Sequence, residues 1–382
     1  MKHIGVFLDG TWNDPNDKTN VFSLNQKLLT PTTVKNIEQV CFYGVGVGVP
    51  TGTKVRGGAF GFGLSANLLA AYDWLVKAYD PGDKIFIMGF SRGAYTARSL
   101  AGFIARCGLL VKGSSLASSS LYERYELGKD AVRLDELMHI KRHNSRSLTP
   151  AEQTLLDQSR RVEIEMLGVW DTVGALGVPW TASPMFGPKK YYFHNTNPSS
   201  LYKNCFQALA LDEHRGAYAP TLWTDFVPQE SGLSSYKRRD PTRFEQRWFI
   251  GAHANVGGGY ANDPLRNLPL DWMQRKAEAL GLEFSGAVIM GGKEFETKPT
   301  DSFSQFMNGL YKLAKFGKRF YRPVGAGPKQ VSKGWSVPIN EVIDASVFAR
   351  FSLHDDYRPK NLISWAERTE VSLGGLQGDR AL

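Results

Sequence analysis

Ser91 is the residue of this sequence whose setting points most directly to covalent chemistry. The segment 89–93 reads Gly-Phe-Ser-Arg-Gly, which fits the pattern G-x-S-x-G, and it directly follows the apolar run 85–88. In that context the serine occupies a sharp turn between a strand and a helix, and its hydroxyl projects from the carboxyl end of the strand. Such a serine attacks carbonyl carbons when a histidine base and an orienting acid lie beside it. The motif therefore predicts a nucleophilic serine.

His253 has the setting expected of the general base. It is one of seven histidines, and it lies between the strand-like segment 247–250 and the glycine-rich segment 254–260. A histidine at the carboxyl end of one strand can reach a nucleophile that a neighbouring strand presents. Isolated histidines usually have structural roles, so the prediction depends on this position after a late strand.

The acid that orients the histidine should also follow a strand, and Asp171 does so after the apolar segment 164–170. Ser91, Asp171 and His253 then occur in the chain order nucleophile, acid, histidine. An aspartate in this place is also typical of a turn, because a threonine follows it. Asp212 is also a candidate acid. It ranks second because it falls in the segment 208–213, which we predict to be helical rather than a strand end.

Two backbone N–H groups should face the oxyanion that forms when an ester is attacked. One is the amide of Arg92, directly after the nucleophile. The loop after the first strand supplies the second, from Gly10 or Thr11, and Asp9 is a candidate for bracing that loop. The alternative is the plainer glycine run at 44–48.

Other signals are explained without a cofactor. The glycine-rich segments 44–48 and 57–63 lack the spacing of a dinucleotide site. The tripeptide 9–11 resembles an aspartyl-phosphatase motif, but Phe7 stands where that motif requires a second carboxylate. Four oxygen-bearing side chains could gather a calcium ion, although a polar turn is the simpler interpretation: Asp9, Asn13, Asp14 and Asp17. We predict no cofactor and no metal.

The composition indicates a globular protein. The chain has 382 residues, of which 42 % are apolar, and a net charge of +9. The charge is compatible with an anionic partner, although plain solubility is the simpler interpretation; among partners, an acidic lipid surface is favoured over nucleic acid because no nucleic-acid motif accompanies the charge. Cys41, Cys107 and Cys205 lie in apolar settings, which is typical of buried thiols in a reducing compartment. The N-terminal apolar run is too short for a signal peptide, so we expect a cytoplasmic protein by default, unless a contact-dependent system exports it.

Short apolar runs alternate with helical patterns along the first 250 residues. Helical periodicity is clear over 64–79 and 94–107. Several of the apolar runs are continuous, as in a parallel sheet covered on both faces. The alternation predicts an α/β fold, an α/β-hydrolase-like, doubly wound and mainly parallel sheet with helical insertions. We predict strands at roughly 4–8, 39–43, 84–88, 164–170 and 247–250.

The core is expected to span residues 1–285, with insertions at about 112–161 and 179–203. The first insertion suits either a lid or a plain helical crossover. Residues 286–382 are expected to form an extension that packs on the core. Within it, the segment 311–322 mixes basic residues with leucine and phenylalanine, which suits either contact with an anionic membrane or a solvated helix face.

Several blocks together resemble an α/β-hydrolase family, long of unknown function, that includes type VI secretion phospholipase effectors of the first lipase class. The resemblance covers roughly residues 3–363 and implies a serine lipase whose triad is Ser91, Asp171 and His253. It also implies phospholipid acyl esters as substrates, action in a rival cell's periplasm, and a secretion-system or immunity partner. The blocks that carry it are 7–13, 89–98, 168–175, 209–215, 251–260 and 357–359.

The residues thus predict a serine hydrolase that cleaves carboxylic esters through an acyl-enzyme. One rival is a non-catalytic module that keeps the fold in order to bind lipid or protein, and it predicts a triad that is blocked or misassembled. Another is acyl transfer or thioester cleavage by the same triad, which only substrates would separate from ester hydrolysis.

Overall fold

A nine-stranded sheet organises the molecule. The computed structural model describes residues 1–10, 17–30, 33–34, 37–46, 57–174 and 197–382. Numbered along those residues, the strands are β1 (Lys2–Leu8), β2 (Thr33–Val34), β3 (Ile37–Gly44), β4 (Lys84–Phe90), β5 (Leu109–Leu110), β6 (Ser159–Arg160), β7 (Ile164–Trp170), β8 (Cys205–Ala210), β9 (Thr224–Pro228), β10 (Phe244–Phe249), β11 (Lys329–Val331), β12 (Gly334–Pro338), β13 (Glu341–Ile343) and β14 (Arg380–Ala381).

Helices connect and cover the strands. Within the described ranges, none of them combines the length and the apolarity needed to cross a bilayer. The α-helices are α1 (Asn20–Lys27), α2 (Gly57–Ala78), α3 (Arg92–Cys107), α4 (Ser118–Glu126), α5 (Leu134–His143), α6 (Pro150–Gln158), α7 (His253–Gly257), α8 (Asn267–Ala279), α9 (Ser302–Gln305), α10 (Leu310–Ala314), α11 (Ala345–Leu353) and α12 (Lys360–Arg368).

The strands of the main sheet are almost all parallel. Their order is β14-β13-β10-β8-β7-β4-β1-β3-β2. Every pairing from β13 to β3 is parallel, and only the two-residue strands β2 and β14 add antiparallel edges. The predicted α/β class with a mainly parallel sheet is therefore confirmed. Because parallel strands end at the same edge, the loops after β1, β4, β7, β8 and β10 gather there.

Both faces of the sheet are covered, as the continuous apolar strands predict. Along β4, Ile85 and Ile87 join the apolar cluster formed with α2 and α3. Phe86 and Met88 point the other way, into the cluster formed with α1 and α8. This alternation follows from the two-residue period of a strand. Because helices pack on both faces, the sheet is doubly wound.

One predicted element is wrong. The segment 208–213 does not form a helix, because β8 (Cys205–Ala210) extends through its first half and pairs with β7 and β10. All six residues of β8 are buried, so the strand lacks the alternation that would have distinguished it from a short buried helix. Asp212 therefore follows a strand end. The five predicted strands all form, as β1, β3, β4, β7 and β10.

The insertion at 112–161 folds as α4, α5 and α6 on the side of the sheet that α2 and α3 cover, where Leu121, Leu137 and Leu155 join their cluster. The insertion at 179–203 lies largely outside the described residues. The segment 286–382 packs on the core and also supplies β13, which pairs with β10. A division of the chain at residue 285 stays a prediction.

Candidate active site

Ser91 lies at the end of β4 on a strained turn. Its backbone has φ 57° and ψ −119°, a region that residues other than glycine rarely occupy. The Ser91 N–H donates to the Trp170 carbonyl at 3.0 Å, which ties the turn to β7. A Cβ at Gly89 would lie 2.5 Å from the Gly93 carbonyl oxygen, so glycine is needed where the strand and α3 meet. The turn therefore presents the serine as the motif predicts.

The structure brings Ser91, His253 and Asp171 into one hydrogen-bonded chain. His253 Nε2 lies 2.8 Å from Ser91 Oγ, and His253 Nδ1 lies 2.5 Å from Asp171 Oδ2. The three side chains follow β4, β10 and β7, so they meet because these strands end at one edge of the sheet. The arrangement can pass the serine proton to Nε2 while the carboxylate keeps the proton on Nδ1.

The His253 ring is buried between two aromatic rings. The Phe90 ring centroid lies 4.7 Å away, and the Tyr218 ring meets it edge-on at 5.0 Å. Burial lowers the pKa of His253 below its usual 6.5, and this effect outweighs the opposing contact with Asp171. The imidazole is therefore neutral at pH 7, which is the form that can accept a proton.

Arg322 is the residue of this site that the sequence prediction missed. Its side chain is fully buried, and it donates from Nη1 to Asp171 Oδ1 at 2.5 Å and from Nη2 to Oδ2 at 2.9 Å. The same nitrogens also donate to the carbonyl oxygens of Ala210 at 2.8 Å and Tyr218 at 2.6 Å. The two-pronged contact neutralises the carboxylate and also fixes its plane.

Asp171 is an anion in spite of complete burial. Burial would raise the pKa of Asp171, but the charge of Arg322 and the hydrogen bond from His253 hold it well below its usual range. The backbone N–H of Ala210 also donates to Oδ1 at 2.9 Å. A carboxylate held so firmly as an anion can orient the imidazole without taking its proton.

The second candidate acid, Asp212, contacts the loop that carries His253. Its Oδ2 accepts from the Gly251 N–H at 2.8 Å and from the Tyr357 hydroxyl at 3.0 Å. The neighbouring Glu213 accepts from the backbone N–H of His253 at 3.2 Å. These two carboxylates lie just after the end of β8 and therefore hold the backbone of residues 251–253, whereas Asp171 contacts the imidazole nitrogen of His253.

The predicted oxyanion donors differ in their settings. The amide of Arg92 is in the first turn of α3, where N–H groups point out of the helix start, beside Ser91. The Gly10 N–H donates to Asp9 Oδ1 at 2.7 Å, so in this conformation it is directed at that carboxylate. Thr11 lies outside the described residues. The oxyanion roles of Arg92, Gly10 and Thr11 stay predictions.

Asp9 connects the loop after β1 to its surroundings. Its Oδ2 accepts from the Thr19 hydroxyl at 2.5 Å and from the Tyr43 hydroxyl at 2.8 Å. Burial raises the pKa of Asp9, against these hydrogen bonds. Asn13 and Asp14, which belong to the calcium cluster for which a polar turn is the preferred interpretation, lie outside the described residues. Among the residues that are described, no group of histidine, cysteine or acidic side chains could hold a metal ion.

A family model matches most of the chain. Residues 2–276 match the model of the catalytic domain of Tle1-like phospholipase effectors of the type VI secretion system (T6SS). An uncharacterized protein of Saccharomyces cerevisiae is 29 % identical over 252 residues, which cover 61 % of this chain and 34 % of the yeast protein. The chain thus spans about a third of the length of that relative.

Two solved structures are more distantly similar. An uncharacterized protein from Pseudomonas aeruginosa is 17 % identical with a TM-score of 0.41, over 83 % of this chain and 51 % of its own. A Tle1 effector bound to the VgrG spike of the T6SS is 17 % identical with a TM-score of 0.35, over 69 % of this chain and 52 % of its own.

Proposed function

Since the chain belongs to the family of Tle1-like phospholipase effectors, through their catalytic domain, we propose that it is a serine ester hydrolase acting on the acyl esters of phospholipids. The observation that carries this proposal is the position of His253, within hydrogen-bonding distance of both Ser91 Oγ and Asp171 Oδ2. A fold kept only for binding would have no need of this alignment. The family assignment supports a lipid substrate, and the site supports covalent catalysis.

The first half of the proposed reaction forms an acyl-enzyme. Ser91 Oγ bonds to the ester carbonyl carbon, His253 Nε2 takes the hydroxyl proton, and the carbonyl electron pair moves to oxygen. Asp171 stabilises the imidazolium that results. When the carbonyl re-forms, the bond to the leaving alcohol breaks, and His253 returns the proton to that alcohol. For a phospholipid the alcohol is a lysophospholipid, and the fatty acyl group stays on Ser91.

The second half releases the fatty acid. A water molecule attacks the acyl carbon while His253 takes one of its protons, and the serine leaves with that proton. The oxyanion of each half is stabilised by the Arg92 amide and by a second amide, from Gly10 or Thr11. For Gly10 to serve, its N–H has to turn away from Asp9 Oδ1, where it points in this structure.

The proposal is tested with vesicles of mixed phospholipids. We expect the protein to release free fatty acid and lysophospholipid in equal amounts, because an ester at a single position is cleaved, and mass spectrometry measures both products. A fluorophosphonate probe should label Ser91 in the same preparation. If neither product nor label is formed, the catalytic proposal fails and the binding-module alternative replaces it. Transfer of the acyl group to added thiols or alcohols in preference to water would favour the acyl-transfer alternative.

The pH dependence of hydrolysis should follow the ionisation of His253. The base must be neutral, so kcat/KM should rise with pH through the pKa of His253 and then level off. Burial lowers that pKa below 6.5, so the midpoint of the rise should lie below pH 6.5. A profile of kcat/KM from pH 4.5 to 8 with a water-soluble short-chain ester measures it. A midpoint above 6.5 would contradict the lowered pKa of His253, and a profile with no acidic limb would contradict its assignment as the base.

Delivery and partners are part of the proposal. The family assignment supports export by the type VI secretion system, and the spike of that system and an immunity protein stay the predicted partners. Retention of the protein on an immobilised spike protein from the same genome would support this, and equal retention on an unrelated spike would contradict it.

A further inference from the structure

Three exposed apolar side chains stand in a row on residues 310–319, which we call the cationic tip. Leu310 is 58 % exposed, Leu313 is 72 % exposed and Phe316 is 90 % exposed. Leu310 and Leu313 are three apart on α10 and therefore share one side of that helix, and Phe316 lies in the turn that follows it. Single exposed apolar residues are common on protein surfaces, but a contiguous row of them marks an interaction site.

Phe316 also holds a strained backbone. It has φ 50°, in the left-handed region. Its N–H donates to the Leu313 carbonyl at 2.9 Å, and the Gly317 N–H donates to the Lys312 carbonyl at 2.9 Å. These two bonds form a helix end of the Schellman type, whose left-handed residue is usually glycine. A bulky side chain is unfavourable there, and the Phe316 ring gains no compensating burial, so its presence points to a function.

The charges of the cationic tip are positive. Lys312, Lys315 and Lys318 are exposed, and the sequence has no aspartate or glutamate from residue 302 to residue 340. Arg319 forms an ion pair with Asp301 at 2.6 Å, so the three lysines dominate the charge that the surface presents. Apolar side chains flanked by lysines suit the surface of an anionic bilayer, where the apolar groups enter and the ammonium groups stay among the phosphates.

The cationic tip is connected to the candidate active site through aromatic contacts. The Phe306 ring lies 5.7 Å from the Tyr311 ring, at the base of the tip, and 6.1 Å from the Tyr218 ring. Tyr218 in turn meets the His253 ring. Between residues 216–217 and the base of the tip lies a cavity of about 350 Å³, to which Lys315 and Lys318 both contribute.

We propose that the cationic tip docks this protein on an anionic phospholipid bilayer, with Phe316, Leu313 and Leu310 in the headgroup region and the lysines on lipid phosphates. This proposal rests on the proposed function, because docking matters for hydrolysis only if it brings lipid close to His253. The aromatic contacts described above connect the cationic tip to that residue. A second copy of the chain is disfavoured as the occupant, since two cationic tips would repel each other.

Replacing Phe316 by glycine separates docking from folding. In Ser91→Ala protein, whose hydrolysis is too slow to alter the vesicles during the measurement, we expect Phe316→Gly to weaken binding to vesicles of equal phosphatidylglycerol and phosphatidylcholine by about tenfold or more, because a large apolar side chain is lost. The urea midpoint should stay the same or rise, since glycine accepts the left-handed conformation. Ile289→Gly, which removes an apolar side chain that is 89 % exposed outside the tip, should leave binding unchanged. Flotation measures the binding.

Charge reversal gives a second, independent variant. Lys312→Glu with Lys315→Glu should weaken binding to the same vesicles by roughly 25-fold or more, at about fivefold per lysine. The matched control is Lys329→Glu with Lys333→Glu, which changes the net charge equally at exposed lysines outside the tip. Wild-type affinity should also fall as salt is raised. Equal binding to pure phosphatidylcholine vesicles, or unchanged binding by both tip variants, would overturn the proposal.

The two proposals fail in different ways. Hydrolysis of a water-soluble short-chain ester reports on Ser91, Asp171 and His253 without a membrane, and the tip variants should retain it when Ser91 is intact. If the wild type cleaves neither soluble ester nor vesicle phospholipid, the proposed function fails, whatever the vesicle-binding measurements show. If soluble ester is cleaved but the tip variants bind vesicles like wild type, docking through the cationic tip is wrong while the proposed function stands. Tighter binding of DNA than of anionic vesicles would also overturn the docking proposal.

Discussion

Replacing Ser91 by alanine should reduce ester hydrolysis by about a millionfold, because removal of the nucleophile from a triad disables the whole unit. The His253 base and the oxyanion donors remain, so a residual rate well above that of the uncatalysed reaction is expected. Released fatty acid, measured by mass spectrometry from mixed phospholipid vesicles, gives the ratio to wild type. The fluorophosphonate label should be lost in parallel.

Ser91→Gly distinguishes a catalytic serine from a structural one. The φ of 57° at Ser91 is unfavourable for any side chain, and such conformations cost roughly 1–3 kcal/mol. Glycine removes the strain but also removes the hydrogen bond to His253 and adds flexibility to the unfolded chain. We therefore expect Ser91→Gly to be inactive and to raise the free energy of unfolding by about 1 kcal/mol in urea denaturation.

Ser159→Ala is the matched control, since Ser159 is a buried serine on β6, away from the strand ends that carry the site. It should retain full hydrolysis and full labelling. Near-wild-type hydrolysis by Ser91→Ala would refute the proposed mechanism. A large loss of stability in Ser91→Gly would show that the serine is kept for folding.

Much of the site could be predicted because its parts obey local rules. The turn around Ser91 needs glycines at fixed positions, and Asp171 and His253 each follow an apolar run. In a parallel sheet all such runs end at one edge, so a sequence that places polar residues after several strands also places those residues together. The structure has the three in contact, and the family match independently supports a phospholipase.

The features that were missed depend on contacts between distant segments. Arg322 lies 151 residues beyond Asp171 in sequence, within a basic segment whose lysines face solvent. No spacing rule distinguishes the one arginine of such a segment that turns inward. The sequence predicts a helix over 208–213, where β8 ends, because both faces of that strand are buried and the alternation that identifies a strand is absent.

The burial of Arg322 leads to the second large effect. Because Arg322 holds the pKa of Asp171 below its unfolded value, this pair contributes stability that is complete above the ordinary pKa of aspartate and is lost only as the pH falls through the lowered one. Removing one partner of a buried pair leaves the other uncompensated. We expect Arg322→Gln to lower the free energy of unfolding at pH 7 by about 3–5 kcal/mol, with a smaller loss near pH 4.

Arg322→Gln should also change catalysis, measured at a temperature where the variant is folded. The carboxylate plane would lose its two-pronged support, and loss of comparable supporting contacts lowers activity roughly 10- to 100-fold. The uncompensated charge of Asp171 would stabilise the imidazolium, so the pKa of His253 should rise. The acidic limb of the profile of kcat/KM against pH should therefore move to higher pH. Arg322→Lys keeps the charge but lacks the two-pronged guanidinium contact. It should therefore lower kcat while displacing the acidic limb of the kcat/KM profile less. It also provides a folded variant if Arg322→Gln does not fold.

The control must be a buried arginine that does not contact the triad, and Arg350 meets that requirement. It is buried and donates to the carbonyl oxygens of Phe295 at 2.7 Å and Thr297 at 2.8 Å. Arg350→Gln should destabilise the fold but leave the acidic limb in place, because it leaves the charge on Asp171 compensated. If Arg322→Gln instead keeps the wild-type limb and kcat, or if Arg350→Gln moves the limb equally, Arg322 acts only on stability. A limb displaced by Arg322→Gln alone would identify Arg322 as the residue that positions the acid of the triad.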